Sequence, residues 1–327
     1  MTGKILVTYQ IPKTGLKKLK EHFEVTYPEK LSLKPGEILP LISDYDGLLA
    51  AGVKIGRQLI EAAPKLKIIS NYGVGYDNID IAAATERDIP VTNTPTAVTE
   101  ATAEIAFGLM LAVMRRIAEC DRRLRFDPEF KWGIMRNLGT SLYGKTIGII
   151  GLGRIGRALA RRTQASGMKV AYFNRNRLAR TLEANLGVSY LSLDDLLSNA
   201  DVISIHIPLN SDSRHLIGLP ELGRMKPTAF LINTARGPVI DEAALIQFLG
   251  EKRIAGAGLD VFEKEPAIPA ALLTLDNVVI TPHIGTETFD ARLAMAEEAS
   301  QNLIDWFLTG YSKNIVNDIK EPQGNSK

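Results

Sequence analysis

The sequence predicts an α/β protein built from two doubly wound parallel-sheet domains. Three observations carry that prediction. Short apolar runs alternate with helical patterns along most of the chain, the order that yields parallel strands covered by helices on both faces. The length of 327 residues and the 45% apolar content suit about two domains with a core each. A glycine-rich turn, Gly151-Leu152-Gly153-Arg154-Ile155-Gly156, lies between a strand signal and a helix signal in the second half.

In the first half, apolar runs predict strands at 4–8, 46–50, 66–71 and 89–92, and helical spacing predicts helices at 14–22, 56–63 and 79–86. Asn93-Thr94-Pro95 interrupts the alternation. One long helix is expected at 100–125, because Ala103, Phe107, Met110, Leu111 and Met114 recur at helical spacing. Such a helix suits an interdomain or subunit contact. Residues 127–143, with Pro128, Trp132 and Gly139, read as an irregular connector. Strands then follow at 146–150, 170–173, 188–191, 202–205, 229–232, 255–259 and 278–280. A last helix, 287–308, is read as crossing back to the first sheet. The expected domains are therefore 1–98 with 288–327, and 99–287, with a disordered tail after Ile319.

Composition excludes several classes. Lys plus Arg at 39 against Asp plus Glu at 37 gives a net charge of +2, too balanced for a nucleic-acid binder. The basic clusters at 17–20 and 115–125 are interleaved with acids and read as solvated helix faces. The single cysteine, Cys120, cannot form an internal disulfide and fits a reducing compartment. It is expected to be a buried bystander. Neither a signal-peptide pattern nor a bilayer-length apolar run is present. These features predict a cytoplasmic protein with no membrane partner, and no metal is called for.

The glycine turn has a specific physical reading. Its first glycine permits a tight turn, its second lets backbone N–H groups approach a pyrophosphate, and its third lets helix and strand pack closely. Phosphates would then lie at a helix N-terminus, where open N–H groups and the dipole favour negative charge. The expected cofactor contacts on this turn are Gly151, Gly153, Arg154, Ile155 and Gly156. The next strand ends Tyr172-Phe173-Asn174-Arg175-Asn176-Arg177, with no acidic residue from 169 to 181. An acid there would accept from the adenosine ribose and repel a 2′-phosphate. Asn174, Arg175 and Arg177 instead favour NADP(H), with NAD(H) possible.

Three later strands deliver chemistry to one sheet edge. Phe230-Leu231-Ile232-Asn233 leads into Arg236, Gly256-Ala257-Gly258-Leu259 leads into Asp260 and Glu265, and Val279-Ile280 leads into His283. In an open α/β sheet the carboxyl ends of the strands form the ligand crevice. A planar cation, a carboxylate and an imidazole are thus brought together beside the dinucleotide turn. Gly73 and Gly75 end a first-domain strand in the same manner. His22 and His215 have no comparable context and are expected at the surface.

These motifs resemble the D-isomer-specific 2-hydroxyacid dehydrogenase family. The matching stretches are 73–80, Asn93-Thr94-Pro95, 144–156, His206-Ile207-Pro208-Leu209, Asn233-Thr234-Ala235-Arg236-Gly237, 258–262, Glu265-Pro266 and Thr281-Pro282-His283-Ile284-Gly285. The nearest flavour is glyoxylate/hydroxypyruvate or 2-ketogluconate reductase. The resemblance implies a flavodoxin-like substrate domain around an inserted Rossmann domain, and a homodimer built through the helix near 100–125. It implies reduction of a 2-oxo acid to the D-2-hydroxy acid. Arg236, with the N–H groups of Val74 and Gly75, would bind the substrate carboxylate, His283 would give the proton, and Glu265 would orient His283. Asp260 would hold the nicotinamide carboxamide, and His206, Pro208, Thr234, Ala235, His283 and Gly285 would line the cofactor. Residues 50–53 would line the pocket, and the loop near 132–138 would close it from the partner subunit. Two alternatives stay open: a dinucleotide-responsive corepressor on the same fold, and phosphite oxidation, which Val74 disfavours where those relatives carry lysine.

Overall fold

A computed structural model describes residues 3–320 of the chain. Most of the expected tail after Ile319 falls outside the described residues. The chain divides into two compact units, one comprising residues up to Val98 together with those from Glu287 on, the other Thr99–Thr286.

The first unit holds a five-stranded sheet, all parallel. Its strands are β1 (Lys4–Val7), β2 (Glu24–Thr26), β3 (Gly47–Ala50), β4 (Ile68–Asn71) and β5 (Val91–Thr92), in the spatial order β2-β1-β3-β4-β5. Both faces are covered, and β3 and β4 are buried along their whole length. Successive side chains go to opposite faces. Leu6, Leu48 and Ile69 join one cluster, while Ile5, Leu49 and Ile68 join another that includes Ala296, Ala299, Leu303 and Ile304. Those last four belong to the helix Phe289–Thr309, capped by Thr288 Oγ1, which accepts from Ala291 N–H at 3.1 Å, and ended by Gly310 at φ 73°. β2 carries no apolar signal, because Glu24-Val25-Thr26 is a short, polar edge strand. The expected helix 14–22 is a 3₁₀ turn, Lys13–Leu16, leading into the α-helix Lys17–His22.

The second unit holds seven parallel strands: β6 (Thr146–Ile150), β7 (Lys169–Phe173), β8 (Val188–Tyr190), β9 (Val202–Ile205), β10 (Phe230–Asn233), β11 (Gly256–Leu259) and β12 (Val278–Ile280). Their order is β12-β11-β10-β9-β6-β7-β8. The winding reverses between β6 and β9, which opens a crevice at the carboxyl ends of those strands.

The single helix expected at 100–125 is two helices, Thr99–Met114 and Ile117–Phe126. Arg116 takes a left-handed φ of 55° between them. The connector captures the end of the first helix, since Thr140 N–H donates to the Met114 carbonyl at 2.7 Å. The Arg116 guanidinium grips buried Glu119 at 2.6 and 2.7 Å. Apolar spacing cannot report such a break, because the break is made by a hydrogen bond from the connector. Of the expected core positions, Ala103, Met110 and Met114 are buried, while Phe107 and Leu111 are partly so. Cys120, expected to be buried, is only partly covered. Among the described residues no helix is long and apolar enough to cross a membrane.

Candidate active site

The reaction end of the second unit is built on three neighbouring strand ends. At the end of β10, Asn233 folds the turn back on itself. Its Nδ2 donates to the Arg236 carbonyl at 2.9 Å and its Oδ1 accepts from Ala235 N–H at 3.0 Å. Arg236 leaves this turn partly exposed, with Nη1 donating to the Ala235 carbonyl at 2.8 Å. Thr234 is buried, and its Oγ1 lacks a hydrogen-bond partner among the described residues. At the end of β11, Glu265 Oε1 accepts from Phe262 N–H at 3.0 Å and Oε2 meets His283 Nδ1 at 2.8 Å.

His283 itself sits at φ 56°, a left-handed conformation that costs a non-glycine residue about 1–3 kcal/mol and persists only where its surroundings enforce it. Asp260 supplies the enforcement. Its carboxylate is buried, with Oδ1 accepting from Thr281 Oγ1 at 2.6 Å and Ile284 N–H at 2.8 Å, and Oδ2 accepting from Gly285 N–H at 2.8 Å. Asp260 therefore shapes the His283 turn, a role that the expected carboxamide contact does not include. Burial pushes its carboxyl above the usual range, outweighing those hydrogen bonds and the charge of His283. Glu265 shows the opposite balance. Burial pushes it up, but the His283 hydrogen bond, the Phe262 N–H and the charges of His283 and Arg236 together hold it below the usual range.

At the nucleotide end, Gly151 has φ 98° and its N–H donates to the Phe173 carbonyl at 2.9 Å. A methyl group at 151 would meet the His206 backbone at 2.8 Å, and one at 156 would collide with the Gly151 carbonyl. A methyl at 153 would touch nothing within 4 Å. Internal packing thus demands glycine at 151 and 156 but not at 153, where an approaching ligand is what a side chain would obstruct. Gly153 also caps the helix Arg154–Ala165 without a side-chain hydrogen bond, so first-turn N–H groups stay open to a phosphate. The turn fits a dinucleotide. Arg154 is exposed and Ile155 partly so. His206 Nε2 lies 2.8 Å from Ser204 Oγ. Burial pushes its imidazole down to about 4, so it stays neutral near pH 7 and suits a wall of the groove. Pro208 is exposed, its carbonyl accepting from Ser213 Oγ at 2.7 Å.

The residues read as a phosphate subsite are less free than the sequence suggests. Asn174 Oδ1 accepts from Leu152 N–H at 2.7 Å, which ties it to the glycine turn. Arg177 holds Glu183 through Nε at 2.8 Å and Nη2 at 2.7 Å and stacks over Tyr190. Glu183 also accepts from the buried Tyr172 hydroxyl at 2.6 Å. The Arg177 hydrogen bonds, then that of Tyr172, hold its carboxyl down at about 2. Arg175 pairs with Asp212 at 3.2 Å, both side chains well exposed. The window from 169 to 181 lacks acids, yet the fold brings acids from 183 and 212 to its two arginines.

In the first unit the turn after β4 is held by asparagines. Asn71 Nδ2 donates to the carbonyls of Gly73 at 3.1 Å and Gly75 at 2.7 Å, and Asn93 Nδ2 donates to that of Val74 at 2.9 Å. With these carbonyls engaged, the trans peptides turn the N–H groups of Val74 and Gly75 the other way. Asn71, Asn93, Asn174 and Asn233 hold these turns, and their one mark in the sequence is that each ends or directly follows a strand. His215, expected as a plain surface residue, is exposed but meets Glu263 Oε1 at 3.0 Å.

Residues 107–285 match the family model "D-isomer specific 2-hydroxyacid dehydrogenase, NAD binding domain". The chain is 46% identical over 323 residues to the glyoxylate reductase of Thermococcus litoralis, covering 97% of each chain. A crystal structure of a glyoxylate reductase from Paecilomyes thermophila superposes with a TM-score of 0.87 at 34% identity, over 96% of this chain and 98% of that one. An NADPH-dependent glyoxylate/hydroxypyruvate reductase from Sinorhizobium meliloti, solved with NADP and malonate, gives 0.85 at 35% identity, with 97% of each chain covered.

Proposed function

The chain belongs to the D-isomer-specific 2-hydroxyacid dehydrogenase family, and on that premise we propose that it reduces glyoxylate, hydroxypyruvate or a similar 2-oxo acid, and runs the reverse oxidation. The observation that carries this reading is the Glu265–His283 pair at 2.8 Å beside Arg236. With Nδ1 engaged by Glu265, Nε2 is the ring nitrogen left to give a proton to the carbonyl oxygen as it becomes an alkoxide. Arg236 presents a planar fork to the substrate carboxylate, and Val74 and Gly75 are proposed to add backbone N–H groups. The nicotinamide, when bound, supplies the hydride. Gly151, Gly153 and the first turn after Arg154 would hold its pyrophosphate, with Thr234, Ala235, His206 and Pro208 along the groove.

NADP(H) is proposed as the preferred cofactor, with Arg175 as the principal cation for a 2′-phosphate and NAD(H) as the weaker alternative. Arg177 contributes less, because Glu183 already holds it. A homodimer is also proposed. Ile117, Leu124, Phe126, Trp132, Ile134 and Met135 are each exposed, which supports an association surface in this stretch. The balanced charge and single cysteine suit a cytoplasmic setting.

The test is turnover of glyoxylate, hydroxypyruvate and 2-ketogluconate with each cofactor. Chirality is read from the hydroxypyruvate product, because glycolate is achiral. Absence of turnover with every 2-oxo acid and both cofactors overturns the enzymatic reading and favours a dinucleotide-responsive binding protein.

A further inference from the structure

The loop that carries Glu265 is held by a second histidine–carboxylate pair that the reaction does not use. Glu263 Oε1 lies 3.0 Å from His215 Nε2 and 3.7 Å from Arg214 Nη2. Its backbone N–H donates to Glu242 Oε1 at 3.1 Å. The next peptide toward the N-terminus, at Phe262, is the one whose N–H holds Glu265 Oε1 at 3.0 Å. On the other side the backbone of Gly237 lies so close that a methyl there would collide with the Phe262 carbonyl and the Glu263 nitrogen. The 262–263 segment is thus pinned from three directions, and it bears at once on Arg236, through Gly237, and on Glu265.

Glu263 is only about one-fifth exposed, while its partners His215 and Arg214 lie at the surface. His215 reaches it from a left-handed backbone, φ 51°. A side chain held in a costly conformation across a segment next to the site needs a reason. We propose that Glu263, gripped by His215 and Arg214, is a positioning residue that fixes the 262–263 segment so that Glu265 meets His283. This rests on the assignment of Glu265 and His283 as the acid–base pair. Glu263 touches neither His283 nor the expected substrate position in that assignment. Its influence runs through Glu265.

The groups facing Glu263 are His215, Arg214 and Glu242, with Lys264 beside Glu242. Those facing His283 and its partner are Glu265, Asp260 and Arg236. The chain has four histidines, so each ring resonance is assignable in the apo protein by single His→Gln changes. The experiment follows the His283 ring signal against pH by NMR. Glu265→Gln removes a partner charge and moves the midpoint to lower pH. Glu263→Gln loosens the pair and moves it the same way by a smaller amount. His215→Asn, which tolerates the left-handed backbone, does likewise and carries the test alone if Glu263→Gln does not fold.

The double variant Glu263→Gln/Glu265→Gln separates the mechanisms. Action through Glu265 predicts the same midpoint as Glu265→Gln alone, with kcat reduced several-fold and cofactor affinity unchanged in Glu263→Gln. An unmoved His283 midpoint in both Glu263→Gln and His215→Asn overturns the proposal. So does an undiminished further shift in the double variant, which would mean direct action of the charge at a distance. An unmoved midpoint in Glu265→Gln instead overturns the acid–base assignment itself.

Discussion

The two ends of the seven-stranded sheet treat their charged side chains differently. At the proposed reaction end, Glu265 and Asp260 are spent on His283 and on the turn that carries it, so the acids there hold the proposed proton donor. At the nucleotide end, Glu183 and Asp212 sit on the arginines themselves, so the acids there temper the cations that would meet a phosphate. One end converts anions into geometry. The other pairs them with arginines, and it does so unequally, since the Arg177 pair is bidentate on a largely covered carboxylate and the Arg175 pair is open to water.

The strongest way to break this contrast is His283→Gln. Loss of acid catalysis costs about 100-fold to 10,000-fold in turnover, while NADPH binding, followed by fluorescence titration, stays near wild type. A variant that reduces substrate at close to the native rate removes the reaction end from the comparison. Glu265→Gln sharpens it. Glu265 is held ionised, and its charge favours the imidazolium that the proposed reduction needs, so its removal makes kcat/KM fall at lower pH. An unchanged profile, or a shift to higher pH, means that Glu265 is not the partner.

At the other end the two arginines should part company. Arg175→Ala raises KM for NADPH about ten-fold, the worth of one charge-assisted hydrogen bond, with little change for NADH or in Tm. Its effect on NADPH shrinks as salt rises. Arg177→Ala does the reverse: it leaves the buried Glu183 with only the Tyr172 hydroxyl of these two partners and lowers Tm by a few degrees, with a smaller change in cofactor preference. Equal effects on KM from the two variants would erase the distinction. A higher kcat/KM with NADH than with NADPH in the wild type would overturn the proposed preference.

The smallest effect concerns acid. The Glu183 carboxyl is depressed in the folded state to about 2, so its contribution is present above the unfolded carboxylate range and is lost as pH falls toward about 2. The Tm difference between wild type and Glu183→Gln, full at pH 7, should therefore close as pH drops from about 4.5. A difference that stays constant with pH would mean that the pair contributes packing but no charge linkage.

The sequence was most informative where function depends on local order. The turn 151–156 and the Arg, Glu and His at successive strand ends could be read because strand, turn and residue type lie within a few positions of each other. What stayed hidden depends on distant partners. Glu183 and Asp212 lie beyond the acid-free stretch 169–181, and only the folding of the chain after β7 brings them back to Arg177 and Arg175. The helix break at Arg116 is made by Thr140, and the edge strand β2 is formed by Glu24-Val25-Thr26 pairing with β1. In each case the deciding group is far away in sequence and carries no periodic mark.

The helix Phe289–Thr309 gives the first unit an unusual history during synthesis. One of that unit's two core clusters, the one holding Ile5, Leu49 and Ile68, is completed by Ala296, Ala299, Leu303 and Ile304, residues translated only after the whole second unit. A nascent chain therefore carries an open apolar sheet face while the ribosome makes everything from Thr99 to Thr286. The second unit, contiguous in sequence, has its strands and covering helices in hand before that last helix is made.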